Sequence, residues 1–168
     1  MSFSQPRPIA PGDPLSAFRC GTTTLDNWLR QSARENERRG ASRTFVSFDG
    51  EGAVAAYYSL SAFTVEREAL GDDWGRLPRV VPVTLIGRLA VHLDHQGKGL
   101  GFAMLQDAVA RAITAAKAVG SAAVIAHVVD PKARPFYERF GFTNLPGDEK
   151  TYLISMADIA ATLESIES

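Results

Sequence analysis

The chain has 168 residues, of which 45% are hydrophobic and 22% are charged, and its formal net charge is −1. This length predicts one domain, residues 1–168, and the balanced charge excludes a surface that is basic throughout. A single cysteine, Cys20, excludes an internal disulfide and a multi-cysteine metal cluster. The first residues contain no apolar leader, and no apolar run is long enough to span a bilayer, so we expect a cytoplasmic protein with no membrane partner.

The N-terminal part predicts an arm followed by a helix. Proline-rich residues 4–14 predict an extended arm. Apolar residues at spacings of three and four predict one continuous helix over residues 22–39. Thr23 is the expected cap of this helix, Asp26 places a carboxylate near its positive end, and Gly40 is its stop signal.

The same helix carries arginines at a spacing of four. Seven arginines against four acidic residues give the first 48 residues a net charge of +3, although the whole chain is slightly acidic. These arginines could follow an RNA backbone, or they could form an ordinary solvated face together with the neighbouring glutamates. The candidates for RNA binding are Arg30, Arg34, Arg38 and, beyond the helix, Arg43.

The remainder of the chain alternates strands and helices. In chain order the predicted elements are a β-hairpin with strands over 43–48 and 53–65, a loop over 66–79, a central strand over 80–91, a loop over 92–98, a helix over 99–119, a strand over 121–129, a short helix over 131–139, a strand pair at 141–142 and 151–156, and a final helix over 157–166. The strand–helix–strand unit in the middle is a βαβ crossover. The order predicts an α/β fold with a mixed sheet flanked by helices.

A glycine-rich loop joins the central strand to the long helix. It consists of Gln96, Gly97, Lys98, Gly99, Leu100 and Gly101. Alternate glycines let a ligand approach the backbone closely, and a helix N-terminus offers free N–H groups, so the loop predicts a diphosphate cradle. A P-loop fits poorly because Gly99 follows Lys98 where a hydroxyl is required, and the spacing G-x-G-x-G does not match the dinucleotide-binding fingerprint.

The loop, with the blocks around it, resembles the GNAT family of N-acetyltransferases. The pattern Q-x-x-G-x-G follows a strand ending in Arg88-Leu89-Ala90-Val91, and the block from Asp130 to Phe142 matches N-x-x-A-x-x-F-Y-x-x-x-G-F with Asp130 in place of the usual Asn. The resemblance implies the GNAT fold, with a mixed and mostly antiparallel sheet, and acetyl-CoA as cosubstrate without a metal. The coenzyme-binding residues that it implies are Leu89, Ala90, Val91, Gln96, Gly97, Lys98, Gly99, Leu100, Gly101, Asp130 and Phe136.

A narrower resemblance extends over nearly the whole chain. Phe18-Arg19-Cys20-Gly21, the helix around Trp28, and Tyr57-Tyr58-Ser59-Leu60-Ser61 are similar to the GNAT toxins of bacterial toxin–antitoxin modules. This implies acetylation of the amino group of aminoacyl-tRNA and a ribbon-helix-helix antitoxin as partner, and it leaves a homodimer open. A protein or small-molecule amine as acceptor, and a non-catalytic acyl-CoA-binding or partner-binding module, are the alternatives.

Tyr137 is the candidate catalytic residue. By the resemblance it lies beside the coenzyme sulfur, and a phenol of pKa about 10 is close enough to a thiol of about 8.5 to act as its general acid. The alternative is that Tyr137 only packs beneath the sheet. The sequence shows no evident base in the strand over 80–91. The amine of an aminoacyl ester is largely neutral at pH 7, so water could serve as its base. Glu66 or Glu68 could act as a base if the fold brings them in.

The other reactive side chains have simpler interpretations. His95 is expected to be a solvated loop residue rather than part of the coenzyme site, and His127 a half-buried, hydrogen-bonded residue. His92 and His95 without a third ligand do not make a zinc site. Cys20 is expected to be a buried packing residue, because no activating partner is visible.

Overall fold

The computed structural model describes residues 2–167 of the chain. Its elements in order are β1 (Arg7–Pro8), α1 (Thr23–Gln31), α2 (Ala33–Arg39), β2 (Arg43–Phe48), β3 (Val54–Glu66), β4 (Val80–Val91), α3 (Leu100–Ala118), β5 (Ala123–His127), α4 (Arg134–Phe140), β6 (Thr143–Leu145), β7 (Asp148–Ser155) and α5 (Met156–Glu167). Short 3-10 turns occupy parts of the loops before β4, before α3 and before α4. Within residues 2–167, no helix is both long and apolar enough to cross a membrane.

The seven strands form one mixed sheet in the order β1-β2-β3-β4-β5-β7-β6. Strand β4 pairs in parallel with β5 from Thr84 to Ile86, and the following segment Gly87–Val91 takes no part in this pairing. The pairs β1–β2, β2–β3, β5–β7 and β6–β7 are antiparallel. Because two parallel neighbours need a crossover, α3 connects β4 to β5, and the predicted mixed, mostly antiparallel α/β sheet is confirmed.

The described chain forms two compact units, each of which includes part of β3 and part of β4. The first unit contains the residues up to Ser61 together with Gly87–Ala108, and the second contains Ala62–Ile86 together with the residues from Val109 onwards. The core of the first unit lies around Leu29, Val46 and Tyr57, which are all fully buried. The core of the second unit lies around Val81, Ile125 and Leu153.

The prediction of one continuous helix over residues 22–39 is wrong, because this segment forms two helices, α1 and α2. Ser32 leaves the helical conformation, with φ −120° and ψ −27°, and separates α1 from α2. Serine favours helix ends because its side chain competes with the helix for backbone hydrogen bonds. The N-cap residue is Thr22 rather than Thr23, and its side chain makes no cap hydrogen bond. Asp26 lies in the first turn as predicted, where it is buried and accepts a hydrogen bond from the Cys20 N–H at 2.8 Å.

The last strand pair is displaced from its predicted position. Residues 141–142 cap the end of α4 instead of starting a strand: Gly141 has φ +118°, and the Phe142 N–H donates to the Tyr137 carbonyl at 3.1 Å. A glycine in the left-handed region is a common helix terminator, and it delays the strand until Thr143. The hairpin, the central strand over 80–91 and the long helix agree with prediction to within one residue at each end.

Candidate active site

The glycine loop is open and its conformation requires glycine. Gly97 and Gly99 have φ of +77° and +83°, in the left-handed region that side chains disfavour. A Cβ added at either position would meet nothing within 4 Å, so backbone conformation rather than packing demands the glycines. The open space beside both glycines leaves the loop backbone accessible to an anion such as a diphosphate.

Helix α3 begins at Leu100, directly after Gly99, so the last two residues of the predicted loop belong to the helix. The N–H groups of its first turn have no partner within the helix, and the first turn contains no acidic residue, so the positive end of the helix dipole is uncompensated. Leu100 is buried and anchors the helix start, whereas Lys98 is exposed. This arrangement favours an anion at the loop.

The Gln96 side chain holds the start of the loop in place. Its Nε2 donates to the carbonyl of Val91 at 2.9 Å and to the carbonyl of Cys20 at 2.8 Å. One side chain therefore ties the loop to the end of β4 and to the segment before α1. The sequence predicts Gln96 as a coenzyme contact but does not predict this anchoring, because backbone carbonyl partners carry no residue-type signature.

His95 is buried, which contradicts its expected place in solvent. Its side chain lies in the first unit, with Nε2 3.2 Å from Asp49 Oδ2 and the ring edge-on to Phe3 at 5.1 Å between centroids. Asp49 Oδ1 also accepts from the backbone N–H groups of Glu51 and Ala53, so one carboxylate supports the hairpin turn and the histidine beside the loop.

A pocket of about 240 Å³ opens beside the loop within the first unit. The N-terminal arm forms one wall and the start of α3 forms another. The residues that line it are Phe3, Ser4, Gln5, Pro6, Ser47, Lys98, Gly99, Leu100, Ala103 and Met104. The arm is held by hydrogen bonds between Ser4 and Phe48 at 2.9 Å in both directions, and thus Lys98 and Gly99 border a formed concavity.

Tyr137 lies in the second unit, on α4, and is buried. Its ring is edge-on to Phe136 and Phe142, at centroid distances of 5.1 and 5.5 Å, and stacks with Tyr152 at 6.3 Å. Burial raises the pKa of Tyr137 above its ordinary value. Among residues 2–167 no group hydrogen-bonds to its hydroxyl, so the packing alternative explains the ring and leaves the hydroxyl without a structural role.

Two predicted coenzyme residues lie near Tyr137 in the sequence. Asp130 caps the 3-10 turn before α4, where its carboxylate accepts from the Lys132 N–H at 3.0 Å. Phe136 is half-buried against Tyr137. On β4, Ala90 is buried in the core of the first unit, and Leu89 and Val91 are half-buried.

The arginines proposed for RNA each have an acceptor within the first unit. Arg30 donates to the Phe18 carbonyl at 3.2 Å, and Arg34 donates to the Asp13 carbonyl. The remaining two form ion pairs, Arg38 with Glu35 and Arg43 with Glu37. The break at Ser32 and these contacts favour the interpretation as a solvated helix face, although exposed ion pairs are weak enough to exchange for a phosphate.

The remaining titratable residues do not form a further reactive cluster. Cys20 is buried as expected, and burial raises the pKa of its thiol to about 11. His127 is exposed rather than half-buried, and its ring lies edge-on to Phe63. Glu66 and Glu68 are both exposed, and Glu66 pairs with Arg79 at 3.5 Å. In residues 2–167 no group of three or more His, Cys, Asp or Glu side chains could hold a metal ion.

The mixed sheet with its βαβ unit and the open glycine loop is the architecture expected of a coenzyme A-dependent acyltransferase. The profile of the acetyltransferase (GNAT) domain matches residues 40–144, and the chain belongs to the GNAT acetyltransferase family. It is therefore an N-acetyltransferase with acetyl-CoA as cosubstrate.

A relative in sequence and two solved structures are similar to nearly the whole chain. The chain is 36% identical over 162 residues to the tRNA-acetylating toxin of Mycobacterium tuberculosis (strain ATCC 25618 / H37Rv), a match that covers 96% of this chain and 97% of that one. Its fold is similar to AtaT complexed with acetyl-methionyl-tRNAfMet, with a TM-score of 0.87, 24% identity, and coverage of 96% and 99%. It is also similar to AtaTR bound with AcCoA, with a TM-score of 0.83, 25% identity, and coverage of 96% and 98%.

Proposed function

We propose that this acetyltransferase acetylates the α-amino group of aminoacyl-tRNA in the cytoplasm and so acts as a translation-blocking toxin. The observation that carries the proposal is the 36% identity to a tRNA-acetylating toxin over 96% of the chain. This similarity includes the basic N-terminal part, which lies largely outside the matched acetyltransferase domain at residues 40–144. We also propose that residues 1–168 act as one domain, because the matched region takes residues from both compact units.

The first unit supplies the coenzyme-binding groups. The backbone N–H groups of Gly97, Gly99 and the first turn of α3 bind the diphosphate, and Lys98 adds a positive charge. The backbone of Leu89–Val91 binds the pantetheine arm and orients the thioester carbonyl. Gln96 acts through the loop: it fixes the position of the loop backbone, and its Nε2 is already occupied by two carbonyls. Acetyl-CoA supplies the thioester that the acceptor amine attacks.

Tyr137 donates the proton that the leaving thiolate requires. The amine lone pair forms the new C–N bond as the C–S bond breaks, the sulfur takes the hydroxyl proton of Tyr137, and the proton lost by the amine reaches the tyrosinate through water. Burial raises the pKa of Tyr137, so the phenol is fully protonated at neutral pH, but it is a weaker acid toward the leaving thiolate than an exposed phenol would be. Asp130, which caps the turn before α4, and Phe136 on α4 contribute to coenzyme binding and do not touch the reacting atoms.

The acceptor amine needs little help from a base. A free α-amino group has a pKa of about 7.7 to 8.0, and an ester-linked one is lower, so much of it is neutral at pH 7. A lysine ε-amine of pKa about 10.4 would need a positioned base. Glu66 at the end of β3 and Glu68 in the following 3-10 turn are both exposed, and Glu66 pairs with Arg79, which supports the amine of lower pKa.

Acetyl transfer to charged tRNA tests the proposal directly. Purified protein with labelled acetyl-CoA should label aminoacyl-tRNA, but not deacylated tRNA, lysine peptides or polyamines, and tightly controlled expression should arrest growth. Co-expression of a neighbouring ribbon-helix-helix reading frame should restore growth. Transfer to a peptide or polyamine at the higher rate would reject the tRNA acceptor, and coenzyme binding without transfer to any amine would reject the enzyme.

A further inference from the structure

Arg88 is a half-buried cation held on an aromatic stack in the first unit. Its guanidinium carbon lies 4.3 Å from the ring centroid of Trp28. Trp28 in turn stacks with Tyr57 at 6.0 Å between centroids and an interplanar angle of 10°. The Tyr57 hydroxyl donates to the Leu25 carbonyl at 2.6 Å, which ties the stack to α1. The guanidinium is therefore placed by an aromatic surface rather than by an acid.

No anion balances this charge within the described chain. Among residues 2–167, Arg88 has neither an ion pair within 4.0 Å nor a hydrogen bond from its side chain, whereas each of the four arginines first proposed for RNA has an acceptor. Burial lowers the pKa of Arg88, as expected for a cation that has lost water without gaining a carboxylate. A desolvated cation without a partner is costly, so an anionic ligand at this position would gain a charge-assisted hydrogen bond without first breaking one.

The position of Arg88 on β4 indicates which phosphate it would meet. Diphosphate binding belongs to the loop after Val91, and Arg88 lies three residues before Val91, about 10 Å further along the strand at the usual rise. Arg88 therefore precedes Leu89–Val91, at the end of the pantetheine-binding segment that is remote from the diphosphate loop. The acceptor must reach the thioester end of the coenzyme, and of the acceptors considered, only RNA brings its own phosphates.

We propose that Arg88, held over the ring of Trp28, binds a backbone phosphate of the RNA acceptor near its 3′ end. This proposal rests on the proposed tRNA acceptor. Arg88 would be a specificity-determining residue that separates charged tRNA from phosphate-free amines, whereas Arg38 and Arg43 on the exposed face would contribute only weak, exchangeable contacts. Arginine suits the site better than lysine, because its planar guanidinium can stack on Trp28 and still present N–H donors to a phosphate.

The test compares Arg88→Met, which keeps the packing volume, with Arg88→Lys, which keeps the charge, and with Arg76→Met, which removes one charge from an exposed loop position. Arg88→Met should raise the KM for aminoacyl-tRNA about ten-fold or more, as loss of one charge-assisted hydrogen bond predicts. The slope of log KM against log salt should fall by about 0.7, the value for one single-strand phosphate contact. Arg88→Lys should recover part of the loss, and Arg76→Met should behave as wild type.

Two further measurements separate the sources of phosphate. The KM for acetyl-CoA, and the rate with an amino acid methyl ester as acceptor, should be unchanged in Arg88→Met. A raised KM for acetyl-CoA would assign Arg88 to the coenzyme and overturn the proposal. An unchanged KM for aminoacyl-tRNA would also overturn it and would leave Arg88 with a packing role only. If the wild type acetylates the ester but not charged tRNA, the proposed function itself fails; if the wild type acetylates tRNA and Arg88→Met does so equally well, only the inference about Arg88 fails.

Trp28 provides a readout that does not depend on the folding of the Arg88 variants. In a Trp74→Phe background the emission comes from Trp28 alone, since the chain has two tryptophans. Titration with an RNA oligonucleotide ending in CCA should change the Trp28 emission in a saturable, salt-sensitive manner. An emission that stays constant while the oligonucleotide binds by another measure would overturn the proposal.

Discussion

Replacing Gln96 by alanine removes two hydrogen bonds with one substitution. Gln96 Nε2 donates to the carbonyls of Cys20 and Val91, at 2.8 and 2.9 Å, and nothing else in the described loop offers these carbonyls a donor. The Cys20 bond is partly buried and the Val91 bond is exposed, so water can replace the second more easily than the first. The substitution should therefore loosen the start of the loop while leaving the glycine conformations accessible.

The size of the effect follows from these two bonds. At about 0.5 to 1.5 kcal/mol each, with the exposed bond at the lower end, Gln96→Ala should destabilise the fold by about 1 to 2 kcal/mol. For a chain of this length that lowers Tm by roughly 2 to 8 °C. If acetyl-CoA must then order the loop itself, the same free energy raises its Kd by roughly 5- to 30-fold.

Isothermal calorimetry measures the Kd for acetyl-CoA, and thermal unfolding measures Tm, so the two effects are obtained separately. Gln31→Ala is the matched control, because Gln31 is exposed on α1 and should change neither quantity appreciably. The rate at saturating acetyl-CoA should stay within about two-fold, since the bound coenzyme restores the loop. A lowered Tm with an unchanged Kd would refute the reasoning, because the anchor would then stabilise the fold without organising the coenzyme site.

Three further predictions concern other parts of the molecule. Tyr137→Phe should lower kcat about 100-fold or more, with little change in KM or in the circular dichroism spectrum, as expected for loss of a general acid. Because burial raises the pKa of Tyr137, the kcat of the wild type should show no loss from phenol ionisation up to about pH 10. A kcat that falls only two-fold would leave Tyr137 a packing residue. Cys20 should react with iodoacetamide at pH 7.5 roughly 100-fold more slowly than a free thiol, since burial raises its pKa to about 11, and rapid labelling of folded protein would contradict its burial. The hydrogen bond from Arg7 holds the pKa of Asp13 below its ordinary value, so Asp13→Asn should cost about 1 kcal/mol at pH 7. That difference is present above the unfolded-state pKa of about 4 and should shrink as pH falls through the lower folded pKa; urea unfolding at pH 7 and pH 3 checks it, and an equal cost at both would exclude the Arg7 interaction as its source.

The parts of the site that could be predicted are those in which backbone geometry demands a residue type. Gly97 and Gly99 have positive φ, and only glycine adopts this conformation without strain, so the loop is visible in the sequence. Periodicity likewise predicted β4 and α3 because each buries one kind of face over more than ten residues. The mixed sheet then followed from the order of these elements and the need for a crossover.

The parts that could not be predicted depend on partners distant in the sequence. His95 is buried because it meets Asp49 and Phe3, both more than 40 residues away, and a histidine in a polar loop gives no sign of that. The helix break at Ser32 depends on tertiary packing as well as local preference, since serine is tolerated within many helices. Arg88 and Trp28, 60 positions apart, have no common motif, so their stack is visible only in the structure.

Asp49 has a consequence for the order in which the protein folds. Its Oδ1 bonds to Glu51 and Ala53 close a turn of five residues, whereas its Oδ2 bond to His95 joins residues 46 positions apart. Local contacts form early because they close short loops, and distant contacts pay a larger closure entropy. The hairpin turn is therefore expected to form first, and the segment beside the coenzyme loop to dock afterwards onto a carboxylate that is already in place.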